Sequence, residues 1–164
     1  MAFFNPAGAF LFKVISPKLL IGVGSGIGVL AMVLGANTAT FSQFILCFSA
    51  LYGVGIGLCY LAPLGCGWEW IPENRGFVTG IILGAFGFGA FIFSFIALSI
   101  INPENVAAEK LADGRLMYSA EIAARVPNLL YVLAMCFAGL GLISVLLIRR
   151  NPAYVQQQSV ITAD

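Results

Sequence analysis

The feature that most constrains the fold is a long stretch without charge. No Asp, Glu, Lys or Arg occurs from residue 19 to residue 68, between Lys18 and Glu69. A helix needs about 20 residues to cross the hydrocarbon core of a bilayer, so this stretch is long enough for two crossings. Asn-Thr-Ala-Thr at residues 37–40 is typical of a turn. The stretch therefore predicts two membrane-spanning helices, at residues 19–36 and 41–67.

Two further apolar runs are long enough to cross a bilayer. The first covers residues 77–101, and the second covers residues 126–148 and ends before Arg149-Arg150. Residues 2–12 are also apolar, but they are too few to cross alone. We interpret residues 2–12 as the end of a helix whose beginning is missing from the sequence.

These runs predict an all-α fold, a multi-pass transmembrane helix bundle. It has four complete helices and the remnant of a fifth within one unit, residues 1–150. Residues 151–164 include Asn151-Pro152 and three consecutive glutamines, so we expect a flexible cytoplasmic tail there. Residues 105–125 alternate small apolar and charged residues, which predicts a short interfacial helix.

The composition excludes several classes of protein. Charged residues make up 9% of the 164 residues and hydrophobic residues 60%, whereas a soluble domain has about 25% charged residues. A net charge of +1 offers no basic face for a nucleic acid. The absence of histidine removes the commonest acid–base group and metal ligand. We therefore expect an integral membrane protein surrounded by lipid, with no metal, no cofactor and no enzymatic activity; the sequence does not identify the membrane.

Charged residues also predict which helix ends face the cytoplasm. Glu69, Glu73 and Arg75 would each cost roughly 2.5–3.5 kcal/mol at the membrane centre, so their segment lies at the interface. Trp68 and Trp70 beside them are typical of aromatic anchors at headgroup depth. The positive-inside rule assigns to the cytoplasm the side that carries Lys13, Lys18, Arg75, Arg149 and Arg150. The opposite side then has the uncharged turn at 37–40 and the loop 102–125, which is more acidic than basic.

Glycines recur in the apolar runs at spacings of four residues. Such spacing places them on one stripe of a helix, where they let two backbones approach closely. A phosphate-binding loop is excluded, because no glycine run completes G-x-G-x-x-G after a strand or ends in G-K-[ST]. We predict helix packing, with sliding during a conformational cycle as a further use. The predicted packing glycines are Gly22, Gly26, Gly53, Gly57, Gly80, Gly84 and Gly87.

Four polar side chains are candidates for a substrate pathway, and one proline is a candidate for a helix kink. Ser49, Tyr52 and Tyr60 follow helical spacing, and tyrosine hydroxyls in an apolar helix need partners. They either bond a neighbouring helix or line a watered pathway. Pro63 removes one helical hydrogen bond and predicts a kink, which either precedes the helix end or shapes a cavity. Asn128 is either a ligand group or an ordinary interfacial residue.

Residues 53–90 carry a combination of motifs that resembles the major facilitator superfamily. They read Gly53-Val-Gly-Ile-Gly-Leu-Cys-Tyr60-Leu-Ala-Pro63, then Trp70-Ile-Pro72-Glu-Asn-Arg75-Gly76, then Phe86-Gly-Phe-Gly89-Ala. The combination is similar to the oxalate/formate-antiporter-like and monocarboxylate-porter branch, with Ile71 in place of the usual Phe of a W-F-P-x-x-R-G loop. The resemblance implies that the four helices are helices three to six of a twelve-helix transporter. It also implies a cytoplasmic loop motif, consisting of Trp70, Pro72, Arg75 and Gly76.

The resemblance covers most of the N-terminal half of such a transporter. Helix one, most of helix two and the C-terminal half have no counterpart, and Phe12-Lys13 stands where the family usually has Asp-Arg. We therefore expect a truncated facilitator-type secondary transporter that moves a small organic solute, such as a monocarboxylate. The alternative is a truncated bundle that does not transport and only associates with partner transmembrane helices.

Overall fold

A computed structural model describes residues 5–110 and 116–161 of the chain. The described part is helical apart from connecting segments and one antiparallel pair of two-residue strands. Four of its helices are long and apolar enough to span a membrane, at Pro17–Ala36, Phe41–Trp70, Pro72–Ile101 and Ala120–Leu147. The predicted all-α multi-pass bundle is therefore confirmed. Residues 2–4 of the predicted helix remnant lie outside the described residues; the rest forms helix α1 (Asn5–Val14).

The first span is helix α2 (Pro17–Ala36), and its ends are set by local polar groups. At its start, the Ser16 side chain accepts a hydrogen bond from the backbone N–H of Leu19 at 3.4 Å, and Pro17 occupies the first helical position. At its end, the Asn37 side chain donates to the carbonyl of Val33 at 2.7 Å. The predicted turn at residues 37–40 thus separates the first two spans.

The second span, Phe41–Trp70, is not a uniform α-helix. It consists of α3 (Phe41–Phe44), a π-helical turn (Ile45–Ala50), α4 (Leu51–Cys59) and α5 (Leu61–Trp70). The α-helix is interrupted at Tyr60, three residues before Pro63, whose missing N–H removes the bond to the carbonyl of Cys59. The π-helical turn carries no sequence signal that the hydrophobic pattern could reveal.

The third and fourth spans follow simple sequence rules. A 3-10 turn (Pro72–Asn74) leads into α6 (Arg75–Ile101), which runs through the third apolar stretch. The fourth span contains α8 (Val126–Leu147), which has Pro127 in its first turn and Ile148 as its C-cap.

The loop between the third and fourth spans differs from its prediction. Instead of one interfacial helix at residues 105–125, its described residues form an antiparallel pair of two-residue strands, β1 (Glu109–Lys110) and β2 (Leu116–Met117), and the five-residue helix α7 (Ala120–Ala124). Asn105 has a positive φ of 52°, which ends any helical path at the start of this loop. The preceding buried Asn102 bonds both backbone groups of Val106 at 2.9 Å. These local bonds replace the continuous helix that the residue alternation predicts.

The C-terminal segment also differs from its prediction. Residues Pro152–Ile161 form a helix, α9, where the composition predicts no regular structure. The Asn151 side chain accepts a hydrogen bond from the backbone N–H of Ala153 at 3.1 Å and so begins this helix. Residues 162–164 of the predicted tail lie outside the described part.

Helix α2 lies at the centre of the bundle and packs against α4 and α8. Its buried Leu20 and Ile21 form a core cluster with Ala62 of α5. The closest approach is between Gly24 of α2 and Gly55 of α4: a Cβ atom added at Gly24 would lie 2.7 Å from the carbonyl oxygen of Gly55. Only glycine at both positions permits this approach.

Six of the seven predicted packing glycines, all except Gly53, divide into two groups. A Cβ added at Gly22 would touch Val145 at 3.6 Å, and Gly57 supplies the carbonyl that a Cβ on Gly8 would approach to 2.6 Å. By contrast, a Cβ added at Gly26, Gly80, Gly84 or Gly87 would meet no described atom within 4 Å. The most apolar window of the third span is correspondingly 0% buried. The stripe on α6 thus has no packing partner among the described residues.

Candidate functional site

A cavity of about 340 Å³ lies between the spans, near the middle of their length. Helix α2 contributes Gly24, Ser25, Gly28 and Val29 to its wall; the second span contributes Tyr52, Ile56, Cys59, Tyr60 and Pro63; and α6 and α8 contribute Ile82, Leu83, Phe86 and Phe137. We call this space the central cavity. It brings together three of the residues that the sequence singled out, Tyr52, Tyr60 and Pro63.

Tyr52 is positioned by an aromatic stack along the second span. Its ring stacks on Phe48, with centroids 5.5 Å apart, and Phe48 stacks on Phe44 at 5.1 Å. The Cδ2–Cε2 edge of the Tyr52 ring lies beside Gly28, where an added Cβ would be 3.6 Å away, an ordinary contact distance. The stack fixes the plane of the tyrosine ring.

Ser49 and Asn128, the other two candidates, are exposed and do not line the central cavity. The aromatic stack Phe44–Phe48–Tyr52 repeats every four residues, and of these three rings Tyr52 lines the central cavity. The π-helical turn shifts the face of the residues before Leu51 relative to a uniform α-helix, so Phe48 takes the place expected for Ser49. Asn128 lies in the first turn of α8, away from mid-span.

The central cavity is apolar and carries few polar groups. Ser25 donates its hydroxyl to the carbonyl of Ile21 at 2.6 Å, and the Cys59 thiol lies 3.7 Å from the carbonyl of Ile56. Within the described part of the chain, no Lys, Arg, Asp or Glu lines the cavity. Such a space suits a small organic molecule held by hydroxyl groups and apolar contacts.

A second, more open cavity of about 600 Å³ adjoins the first. Both are lined by Ser25, Cys59, Pro63, Phe86 and Phe137. The second continues along α2 and α8 as far as Leu147 and Ile148, where the fourth span ends. We call this space the lateral trough. The two spaces together extend from mid-span to one end of the bundle.

That end is held by a buried carboxylate that sequence reasoning missed. Glu69 is 5% exposed, and the Nε atom of Arg150 donates to its two carboxylate oxygens at 2.9 and 3.2 Å. Asn151 adds a backbone N–H to the carboxylate at 3.3 Å and a side-chain bond to the Glu69 carbonyl at 3.0 Å. The Arg150 guanidinium also lies 5.3 Å from the centre of the Phe12 ring. The only signal in the sequence was a lone acidic residue at the end of an apolar run.

The hydrogen bonds to Glu69 raise the pKa of the Arg150 guanidinium above its ordinary value, although partial burial acts in the opposite direction. The guanidinium is therefore charged at neutral pH, and the ion pair links α5 to the segment after α8.

The loop motif predicted from the resemblance lies at the same end. The Trp70 indole donates to the carbonyl of Arg149 at 3.0 Å, and Pro72 opens the 3-10 turn. Arg75 lines a cavity of about 710 Å³ together with Glu69 and Arg150. A Cβ added at Gly76, the last residue of the motif, would meet no described atom within 4 Å.

A second long-range hydrogen bond joins two segments at the opposite end of the bundle. The Asn37 side chain donates to the hydroxyl of Tyr131 at 2.7 Å, which joins the turn after α2 to the start of α8. The charge pattern assigns the turn at 37–40 and the segments around Glu69 and Arg150 to opposite sides of the membrane. In the structure, these segments lie at opposite ends of the described bundle.

These observations define a multi-pass integral membrane protein with an internal cavity, and comparison with known proteins adds its relatives. The chain is 34% identical over 143 residues to apicoplast pyruvate carrier 1 of Toxoplasma gondii, covering 80% of this chain and 26% of that protein. It is 26% identical over 119 residues to the oxalate:formate antiporter of Oxalobacter formigenes, covering 69% and 27% respectively. It is also 22% identical over 97 residues to the MFS-type transporter opdF of Penicillium oxalicum, covering 59% and 23%.

The chain thus spans about a quarter of the length of these relatives. No family model matches the sequence, and no solved structure matches it. All three relatives are carriers or transporters by name, and none is an enzyme by name. The comparisons therefore relate the chain to membrane transporters, which confirms the resemblance at that level.

Proposed function

We propose that this chain forms part of a secondary transporter of the major facilitator superfamily that moves a small organic solute through the central cavity. The single observation that carries the proposal is the placement of Tyr52 and Tyr60 in one apolar cavity at mid-span, in a chain related to carriers. In transporters of this kind, substrate sites lie near the bilayer midplane and alternating access exposes them to each side in turn.

The solute that we propose is a monocarboxylate or a related organic anion. The names of two relatives include pyruvate, oxalate and formate. The hydroxyls of Tyr52 and Tyr60 would donate hydrogen bonds to carboxylate oxygens, while the apolar wall accommodates the carbon chain. Because no cation lines the cavity among the described residues, the counter-charge for an anion would come from a helix outside this chain.

One end of the bundle carries Lys18, Arg149 and Arg150, and we call it the basic end. We propose that the Glu69–Arg150 pair and the loop motif form the gate at this end. The pair joins the end of the second span to the end of the fourth, next to the opening of the lateral trough. Opening the cavity at this end would require these two spans to separate, and so the pair would favour the closed state. Trp70 and Arg75 would take part in the same movement, since both lie beside this pair.

Uptake into liposomes tests the proposal. The purified chain would be reconstituted and the uptake of radiolabelled pyruvate measured, with the full-length Toxoplasma carrier in parallel. We expect uptake by the full-length carrier, and any uptake by this chain should be lowered by Tyr52→Phe and by Tyr60→Phe. Tyr118→Phe, at an exposed tyrosine in the loop before α7, should leave it unchanged. Uptake by the full-length carrier but not by this chain would contradict transport by the chain alone.

The second candidate function is association with partner transmembrane helices without transport. The exposed face of α6 favours it, because Gly80 and Gly84 have no described atom within 4 Å of an added Cβ. Crosslinking in native membranes separates the candidates: a chain found only as a monomer would contradict association.

A further inference from the structure

We propose that the basic end of the bundle carries a binding site for one anionic phospholipid. The headgroup phosphate would bind in a pocket between the start of α2 and the end of α8, and an acyl chain would occupy the lateral trough. Nothing in the proposed transport function requires this site.

The headgroup pocket has a volume of about 510 Å³. One wall is the connection from α1 to α2, including Ser16, Pro17 and Lys18, and the other is the segment from Ile148 to Arg150 that comes after α8. The pocket therefore lies between two spans at a helix end, which is the level of the lipid headgroups. Basic pockets between transmembrane helices on the cytoplasmic side are typical binding places for anionic headgroups.

Two positive charges of this pocket are free to bind a ligand. Within the part of the chain that the structure describes, neither Lys18 nor Arg149 has a carboxylate oxygen within 4 Å, and both residues are exposed. Arg150 also lines the pocket, but its guanidinium is already paired with Glu69. The pocket therefore has a local excess of positive charge that a phosphate diester would neutralise.

The lateral trough supplies the apolar half of the site. Ile148 lines both the headgroup pocket and the trough, so the two spaces adjoin. From Ile148 the trough runs along α8 past Leu147, Ile143 and Leu140, which are 74%, 53% and 49% exposed. An acyl chain in the trough would cover these side chains while its headgroup reached Lys18 and Arg149.

The combination favours an anionic phospholipid over a free phosphate or another helix. A free phosphate would use the charges but leave the adjoining trough empty. A second apolar helix would cover the trough but give no partner to the two cations. An anionic phospholipid satisfies both, and the cytoplasmic leaflet, to which the charge pattern assigns this end, is the leaflet rich in such lipids.

Native mass spectrometry of the purified full chain tests the site. The protein would be mixed with equimolar phosphatidylglycerol and phosphatidylcholine of the same chain length. We expect preferential retention of one phosphatidylglycerol, by about tenfold or more, because each cation near an anionic headgroup contributes about fivefold. The double variant Lys18→Gln with Arg149→Gln should lose this preference, whereas Arg75→Gln, which removes a charge at the same end but outside the pocket, should keep it.

Two further arms distinguish the possible ligands and guard against misfolding. The charge-preserving double variant Lys18→Arg with Arg149→Lys should retain the preference, and all variants should elute as the wild type in size-exclusion chromatography. Excess inorganic phosphate should not displace the lipid, and dihexanoyl phosphatidylglycerol should be retained less than the long-chain form. Equal retention of the two long-chain lipids, displacement by phosphate, or a preference that survives the double glutamine variant would overturn the proposal.

Discussion

The Nε atom of Arg150 lies 2.9 Å from a carboxylate oxygen of Glu69, and 81 residues separate the two along the chain. The Glu69 side chain is 6% exposed and that of Arg150 is 32% exposed, so the carboxylate has lost nearly all of its water. In such a pair, one partner compensates the desolvation of the other. The buried carboxylate therefore depends on Arg150 for its counter-charge.

Arg150→Ala should destabilise the fold, because it leaves the buried Glu69 carboxylate without its counter-charge. Loss of one partner of a buried pair costs about 3–5 kcal/mol, and the partial exposure of Arg150 lowers our expectation to about 2 kcal/mol. Arg149→Ala is the matched control and should change little, since Trp70 bonds the backbone carbonyl of Arg149 and not its side chain. Thermal unfolding in detergent measures both. Equal effects of the two variants would contradict this role of the pair.

The pKa shift of Arg150 gives a prediction about pH. A cation whose pKa is raised by folding contributes stability that is present below its unfolded pKa and is lost only as the pH rises through the folded value. Arginine ordinarily stays charged far above neutral pH, and hydrogen bonding to Glu69 raises the pKa of Arg150 further. The difference in stability between wild type and Arg150→Ala should therefore stay constant from neutral to moderately alkaline pH. A decline over that range would show that another group controls the pair.

The close contact of α2 and α4 predicts that alanine substitution changes stability at one glycine but not at another only two residues away. Gly24→Ala should destabilise the bundle by about 1–3 kcal/mol, since its Cβ would meet the backbone oxygen of Gly55 at 2.7 Å, and backbone cannot move aside cheaply. Gly26→Ala should fall within about 0.5 kcal/mol of wild type, because no described atom lies within 4 Å of its Cβ. The midpoint of unfolding in detergent distinguishes the two. A larger effect at Gly26 would show that a partner absent from this chain packs there.

The hydrophobic pattern predicted the spans because bilayer thickness imposes a length that local sequence must satisfy. The turn at residues 37–40 was predictable for the same reason, since polar residues separate two apolar runs. The pattern could not predict which glycines touch a neighbour: Gly24 and Gly26 have the same local context, and only the position of α4 distinguishes them. Long-range pairing depends on the packed geometry of the spans, and so the sequence alone did not indicate that Glu69 and Arg150 meet.

The candidate site was only partly predictable, for a related reason. Tyr52 and Tyr60, eight residues apart, both line the central cavity, because the helix between them is regular from Leu51 to Cys59. Ser49 lies within the π-helical turn and does not line the central cavity, because this turn changes the number of residues per turn without any change in hydrophobicity. The hairpin and α7 escaped prediction because the helical pattern of residues 105–125 is overridden by the local bonds of Asn102 and the positive φ of Asn105.

Cys59 provides a direct test of the pathway, because its side chain lines the central cavity at the point where this cavity adjoins the lateral trough. A variant that keeps only Cys59, with Cys47, Cys66 and Cys136 replaced by alanine, should react with a small methanethiosulfonate reagent in liposomes. A transported solute should slow that reaction by at least about twofold, since it would occupy the space beside the thiol. The matched variant that keeps only Cys66, which is buried and lines neither space, should react much more slowly, with no effect of solute. Equal reactivity of the two thiols, or labelling of Cys59 that no solute slows, would place the pathway elsewhere.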